Sequence, residues 1–264
     1  MKKVLVIAGF DPSCGAGGCH DIKILNMLGV YGAFIQTALT IQNTQKVEAV
    51  KSIDGDFFLR QAEFILKDIQ FDAVKIGMLG NEDIAEKLIF LIKKYNLKNI
   101  VLDPVIKSTS EKDLITKEGL ILMRDKLIRL CSIITPNLNE AEILTETKLM
   151  NIDDLKLAHS KLISLGVNNS VIKGGHFPSK YAIDSFCNGK EFILTLSKKH
   201  ISTDKIHGTG CTYSSLLSGF LAKGLNSKDA FFKTKKVINY MLKNQLLKVG
   251  NSDLSMNIIG TTNG

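Results

Sequence analysis

Apolar runs of strand length alternate with helical spacings along most of this chain. Strand-like runs occur at KVLVIAG (3–9), AFIQTALT (33–40), AVKIGM (73–78), NIVLDPV (99–105), SIITPN (132–137) and SVIKGG (170–175). Between them, Ile84, Leu88, Leu91 and Tyr95 recur at steps of four, three and four, which is one face of a helix with Asn81 placed to cap it. Leu155, Ala158, Leu162 and Ile163 repeat that pattern behind Asn151. Strands apolar on both faces and separated by helices predict an α/β fold of three layers, a mainly parallel sheet flanked by helices. AIDSFC (182–187) and EFILTL (191–196) bracket Asn188-Gly189-Lys190 and predict an edge hairpin. Helices are expected over 210–223 and 227–248, and only the last dozen residues carry no pattern. No linker, repeat or low-complexity stretch divides the chain, so residues 1–264 are expected to form one domain.

Composition removes several classes. With 264 residues, 45% apolar and 23% charged, the chain can bury a large core. No apolar run is long enough to span a bilayer. The short run in MKKVLVIAGFDPS ends in Asp-Pro rather than at a cleavage site, so it predicts a buried first strand and a cytoplasmic protein. Five scattered cysteines without a CxxC point to reduced thiols rather than disulfides or zinc. The net charge of +8 is spread along the chain with no aromatic-interleaved basic stripe, which argues against nucleic acid and permits a phosphate-handling role.

Three loops carry candidate chemistry. In a parallel sheet, ligands bind at the carboxyl ends of the strands, where these loops fall. AGFDPSCGAGG (8–18) follows the first strand. Its glycines allow close approach of a ligand to the main chain, and Asp21 is expected in the first turn of the next helix. A plain tight turn would look the same, since this is neither GxGxxG nor a Walker A loop. TPNLNEAE (135–142) offers Asn137 as a helix cap ahead of Glu140 and Glu142. It reads either as capping or as part of a magnesium–phosphate site built on oxygen ligands. HGTGCTYSS (207–215) precedes an apolar helical stretch. Gly208 and Gly210 free successive N–H groups to converge on an anion. The same helix start would lower the pKa of the Cys211 thiol, making it ready to act as thiolate. An anion hole beside a tuned base is what phosphoryl transfer to an alcohol requires.

In order along the chain, AGFDPSCGAG (8–17), GVYG (29–32), TALTIQNT (37–44), VKIGML (74–79), LDPV (102–105), ITPNLNEAE (134–142), IKGGH (172–176) and HGTGCT (207–212) make it resemble the hydroxymethylpyrimidine/phosphomethylpyrimidine kinases of thiamine biosynthesis, a branch of the ribokinase-like superfamily. The resemblance implies ATP-dependent phosphorylation of 4-amino-5-hydroxymethyl-2-methylpyrimidine and of its monophosphate, with Mg2+ as companion ion and a homodimeric assembly. It implies an anion hole and base at Gly208, Gly210 and Cys211, with Lys173 approaching the nucleotide phosphates. A pyrimidine pocket is implied at Gly9, Ala16, Asp21, Thr40, Gln42, Met78 and Val105, and a magnesium and phosphate-orienting group at Asp103, Asn137 and Glu140. The Gln42 amide offers a donor and an acceptor to an aminopyrimidine edge.

The chain departs from the family at three places. Gly18-Cys19-His20-Asp21 stands where Ile-Gln-Ala-Asp is usual, Cys14 where glycine is usual, and Glu111 where glycine is frequent, in KSTSEKDL (107–114) near the expected phosphates. An inward Glu111 would oppose phosphate, and a solvated one would not. Two other readings compete. A pyridoxal-type kinase shares the fold, against which QNT (42–44) and GGH (174–176) favour the pyrimidine. A non-catalytic pyrimidine binder would have no need of Gly208, Gly210, Cys211, Asp103 and Glu140 together.

Overall fold

The computed structural model describes residues 1–108, 111–175, 177, 179, 181–198, 206–250 and 254–256. In chain order the elements are β1 (Lys3–Phe10), α1 (Gly17–Met27), β2 (Tyr31–Gln42), β3 (Val47–Ser52), α2 (Gly55–Asp68), β4 (Ala73–Ile76), α3 (Glu82–Lys94), β5 (Ile100–Leu102), α4 (Lys117–Leu122), β6 (Ile133–Ile134), α5 (Leu138–Thr145), α6 (Ile152–Ser164), β7 (Asn169–Ile172), β8 (Tyr181–Cys187), β9 (Phe192–Lys198), β10 (Ile206–His207), α7 (Thr209–Ala222), α8 (Ser227–Asn244), β11 (Leu246–Lys248) and β12 (Leu254–Met256).

Nine strands form one sheet in the order β3-β2-β1-β4-β5-β6-β7-β8-β9. The run from β2 to β7 is parallel, while β3, β8 and β9 join antiparallel at the edges. Alternate residues of the strands feed two cores. Leu5, Ile7, Val74, Ile76 and Leu102 pack with Phe58, Leu88, Ala141 and Leu162 from α2, α3, α5 and α6. On the other face, Val4, Val6 and Ala8 meet α1 and α7, and Val101, Val171 and Phe186 meet α7 and α8. This is the expected three-layer α/β arrangement.

The order reverses at β1, since β2 lies on one side of it and β4 on the other. A crevice opens at such a point, outside the carboxyl ends of the strands. The expected strands are present, β1 and β2 slightly longer than expected and the central ones shorter at their carboxyl ends: 99–105 yields only Ile100–Leu102, and 132–137 only Ile133–Ile134. The surplus residues become the loops that build the site. Asn81 accepts from the Ile84 N–H at 3.1 Å, and Asn151 closes a capping box with Asp154. The hairpin pairs Ile183 with Leu196 and Phe186 with Ile193. The last helix ends at Asn244 rather than 248, because Leu246–Lys248 turns away into a small sheet with β12 and β10. Most of the patternless last dozen lies outside the described residues. The helix α2, the short α4 and the strand β3 were not expected from the sequence.

Candidate active site

A cleft of about 630 Å³ lies across the carboxyl ends of β1, β4, β5, β6 and β7. Segments 8–18, 40–44, 103–108 and 207–211, with Glu111, all contribute to its wall. Of the residues implied by the resemblance, Gly9, Ala16, Thr40, Gln42, Met78, Val105, Asp103, Asn137, Glu140, Lys173, Gly208, Gly210 and Cys211 all line this one cleft. His176 and residues 109–110 lie outside the described residues.

One wall of the cleft starts from a helix N-terminus. Gly208 adopts φ +82° and caps α7 with no side-chain hydrogen bond, so the first N–H groups of the helix have no partner from a capping side chain. A side chain at 208 would collide with the Gly15 carbonyl oxygen, which ties the anion-binding turn to the first loop. A Cβ at Gly210 would sit 3.3 Å from Lys173 Nζ and 3.8 Å from Asp103 Oδ2, so glycine keeps this space open beside charged groups. Lys173 donates to Asp103 Oδ1 at 2.7 Å, and Ser214, one turn into α7, donates to Asp103 Oδ2 at 3.1 Å. Burial works against the Asp103 charge, but Lys173 and Lys75 outweigh it and hold the carboxyl below the usual range.

Glu140 and Asn137 form a capping box, with Asn137 N–H donating to Glu140 Oε2 at 2.7 Å and Glu140 N–H to Asn137 Oδ1 at 2.9 Å. Burial pushes the Glu140 carboxyl up to about 7, despite Lys173 and with help from Asp103. Glu140 therefore caps α5, as the capping reading expected, and also lines the cleft. Among the described residues no group of three or more histidines, cysteines or acids could hold a metal ion alone. The hard oxygens of Asp103 and Glu140 fit a magnesium ion that arrives on phosphates and keeps its waters, not a protein cage. Asn137 fits less well, because its Oδ1 is committed to the cap.

Two expectations are corrected. Asp21 does not line the cleft and is not in the first turn of α1. Its side chain is 0% exposed and lies beneath the cleft, bonded to Lys75 Nζ at 2.7 Å and to Ser215 Oγ at 2.7 Å. Burial works against the Lys75 charge. The Asp21 carboxylate, with Cys211 and Asp103 nearby, reverses this and raises its pKa. The second correction concerns Cys211. The helix start and Lys75 do favour a thiolate, and the Gly17 N–H bonds to the sulfur, but burial dominates and pushes the thiol up to about 12. The thiol is therefore protonated at neutral pH in the ligand-free protein.

Beside the first loop, Met78 packs its sulfur against Gly9, where a Cβ would lie 2.7 Å from Sδ. Gln42 reaches in from the end of β2, with Oε1 3.2 Å from Thr40 Oγ1 and Nε2 3.3 Å from His207 Nε2. Asp11 organises the first loop, accepting from Ser13 N–H, Ser13 Oγ and Ala16 N–H at 2.7–2.9 Å. Burial opposes its charge, but His207 and Ser13 hold its carboxyl below the usual range. Cys14 and Glu111, where the family favours glycine, have φ of +53° and +61°. Both positions demand the left-handed region that glycine enters freely. Glu111 points to solvent, 71% exposed and 3.3 Å from Lys107 Nζ.

Lys75, Asp11, His207 and Ser214 were not picked out from the sequence. Lys75 did leave a signal, since a lysine inside an apolar buried strand requires a buried counter-charge.

Fold and cleft together define a kinase of the ribokinase-like architecture. The family described as phosphomethylpyrimidine kinase matches residues 11–257. A hydroxymethylpyrimidine/phosphomethylpyrimidine kinase of Aquifex aeolicus is 40% identical over 243 residues, 91% of this chain and 94% of that protein. The crystal structure of a phosphomethylpyrimidine kinase from Clostridium difficile superposes with a TM-score of 0.82 at 35% identity, covering 92% of this chain and 100% of that one. Pyridoxal kinase from Staphylococcus aureus, in complex with AMP-PCP and pyridoxal, gives 0.89 at 29% identity, covering 100% of this chain and 95% of that one. The chain belongs to the phosphomethylpyrimidine kinase family and is a phosphotransferase.

Proposed function

We propose that the protein transfers the γ-phosphoryl group of ATP to 4-amino-5-hydroxymethyl-2-methylpyrimidine, and then phosphorylates the monophosphate to the diphosphate, in thiamine biosynthesis. The observation that carries this reading is one continuous cleft with an open helix N-terminus and Lys173 in one part, and Gln42, Thr40 and Met78 in another. The hydroxymethyl oxygen attacks phosphorus, the bond to the ADP oxygen breaks, and the alcohol proton must leave. N–H groups at the start of α7 and the Lys173 ammonium take up charge on the transferring group. Cys211 is the proposed base. Its thiol is protonated at rest, so it must first release that proton to solvent, and the thiolate, favoured by the Lys75 ammonium beneath it, then accepts the alcohol proton. A magnesium ion, where bound, would neutralise phosphate charge, with Asp103 and Glu140 holding it and its waters. Magnesium and a homodimeric assembly are part of this proposal and rest on the family resemblance, and a cytoplasmic setting is part of it on the reading of the N-terminal run as a buried strand. Among the described residues no helix is long and apolar enough to cross a membrane.

The likeness to pyridoxal kinases makes pyridoxal the second acceptor to test. A coupled assay of ADP release with hydroxymethylpyrimidine, its monophosphate and pyridoxal decides between them. Turnover is expected with the first two and weaker turnover with pyridoxal. Pyridoxal as the preferred acceptor would overturn the assignment, and binding of the pyrimidine without ADP release would leave only a binder.

A further inference from the structure

His207 is the first residue of the anion-binding turn, yet its ring faces the first loop. Its Nε2 lies 3.0 Å from Asp11 Oδ2 and 3.3 Å from the Gln42 amide nitrogen. An ionised carboxylate can only accept, so the short contact to Asp11 requires a proton on Nε2. That proton cannot face an amide N–H as well. The far side of Gln42 has a matching conflict, because the Thr40 hydroxyl donates to the Phe10 carbonyl at 2.9 Å and has no second hydrogen for the Gln42 oxygen, 3.2 Å away.

A half-turn of the amide removes both conflicts together. The Gln42 oxygen then accepts the longer arm of a three-centre bond whose Nε2–H also donates to Asp11 Oδ2, and the amide nitrogen donates to Thr40 Oγ1. Amide oxygen and nitrogen are near-isosteric, so their order is fixed by partners rather than by shape. With those two positions used, the amide keeps one N–H and one oxygen lone pair for the cleft.

We propose that His207 is a positioning residue for substrate recognition: held by Asp11 as an Nε2–H donor, it locks the Gln42 amide oxygen-first and so fixes the donor–acceptor edge shown to the substrate ring. That edge complements a ring nitrogen beside an exocyclic amino group, which an aminopyrimidine has and a pyridoxal-type ring does not. The inference deepens the proposed function and rests on its reading of Gln42 as the group that meets the pyrimidine.

The test is a double-substitution cycle with steady-state kinetics. His207→Phe keeps a ring against Gly15 but removes the donor. KM for hydroxymethylpyrimidine should rise roughly tenfold or more while KM for ATP stays within about twofold. His207→Gln, which carries a donor at similar reach, should restore most of the loss. In a Gln42→Leu background, His207→Phe should add less than about twofold, because both changes break one connection. Multiplicative effects, or a loss confined to kcat and KM for ATP, would overturn the proposal and make His207 a support for the anion hole. Nitrogen-15 NMR of the unsubstituted protein gives an independent reading that needs no variant to fold. The His207 ring should carry a proton on Nε2, and a proton on Nδ1 alone would overturn the proposal. If Gln42→Leu itself leaves pyrimidine KM unchanged, the recognition role of Gln42 fails, and the inferred role of His207 fails with it. The NMR result then separates that failure from an error in the hydrogen-bond assignment.

Discussion

Beneath the cleft, Lys75 and Asp21 face each other at 2.7 Å with neither side chain exposed, whereas at its mouth Lys107 and Glu111 lie 3.3 Å apart with the glutamate 71% exposed. Both are lysine–carboxylate pairs, but they do different work. At the mouth, water solvates either charge and the pair is worth little. Beneath the cleft, each charge is tolerable only because the other is present, so the pair fixes where β4 and α1 meet and puts a cation under Cys211. The wall around the start of α7 is thus anchored by buried charge, and the wall around the first loop is built from exchangeable hydrogen bonds among Asp11, His207, Gln42 and Thr40.

The hardest way to break that contrast is to cut each pair in turn. Lys75→Met leaves Asp21 buried and unpaired, and should cost about 3–5 kcal/mol in urea unfolding. Lys107→Met should change stability by less than about 0.5 kcal/mol. Similar costs for the two would erase the distinction.

Glu140 gives a gentler test of the anchored wall. Burial raises its pKa from 4.5 to about 7, so between those values the folded protein binds more protons than the unfolded chain. Stability from this group is present below pH 4.5 and is lost as pH rises through 7, by roughly 3 kcal/mol at most. Glu140→Gln keeps the cap but cannot ionise. Its stability relative to the parent protein should therefore improve from pH 5 to pH 8, and a constant difference would show that Glu140 is not strained by burial.

The smallest expected effect lies at the rim. Cys14 holds φ +53°, a conformation that costs a non-glycine residue about 1–2 kcal/mol. Cys14→Gly should raise stability by about 1 kcal/mol less the entropy glycine loses on folding, with little change in turnover. A loss of stability would mean that the Cys14 side chain contributes contacts that outweigh the strain.

The sheet was legible because its strands are apolar on both faces, and the capped helices because Asn81 and Asn151 precede regular apolar spacings. The strand β3 was not, since VEAVKS carries two charges in six residues and lies half-exposed at the edge. In the site, glycine-rich loops and the HGTGCT turn could be read because their chemistry is local in sequence. Asp21 was misplaced because its partner, Lys75, is 54 residues away. The Cys211 thiol was misjudged because a helix start is visible in sequence while the burial that overrides it is not.

The most direct test of the account is the effect of Cys211→Ser on the two acceptors, with nucleotide binding measured alongside. Serine keeps the backbone N–H groups of the anion hole, so ATP affinity should hold. Phosphorylation of the hydroxymethyl group should fall by about 10²–10⁴, as expected when a general base is lost. Phosphorylation of the monophosphate, whose attacking oxygen has already shed its proton, should fall much less. Equal losses on both acceptors with binding intact would contradict the base assignment and leave Cys211 as a residue that shapes the anion hole.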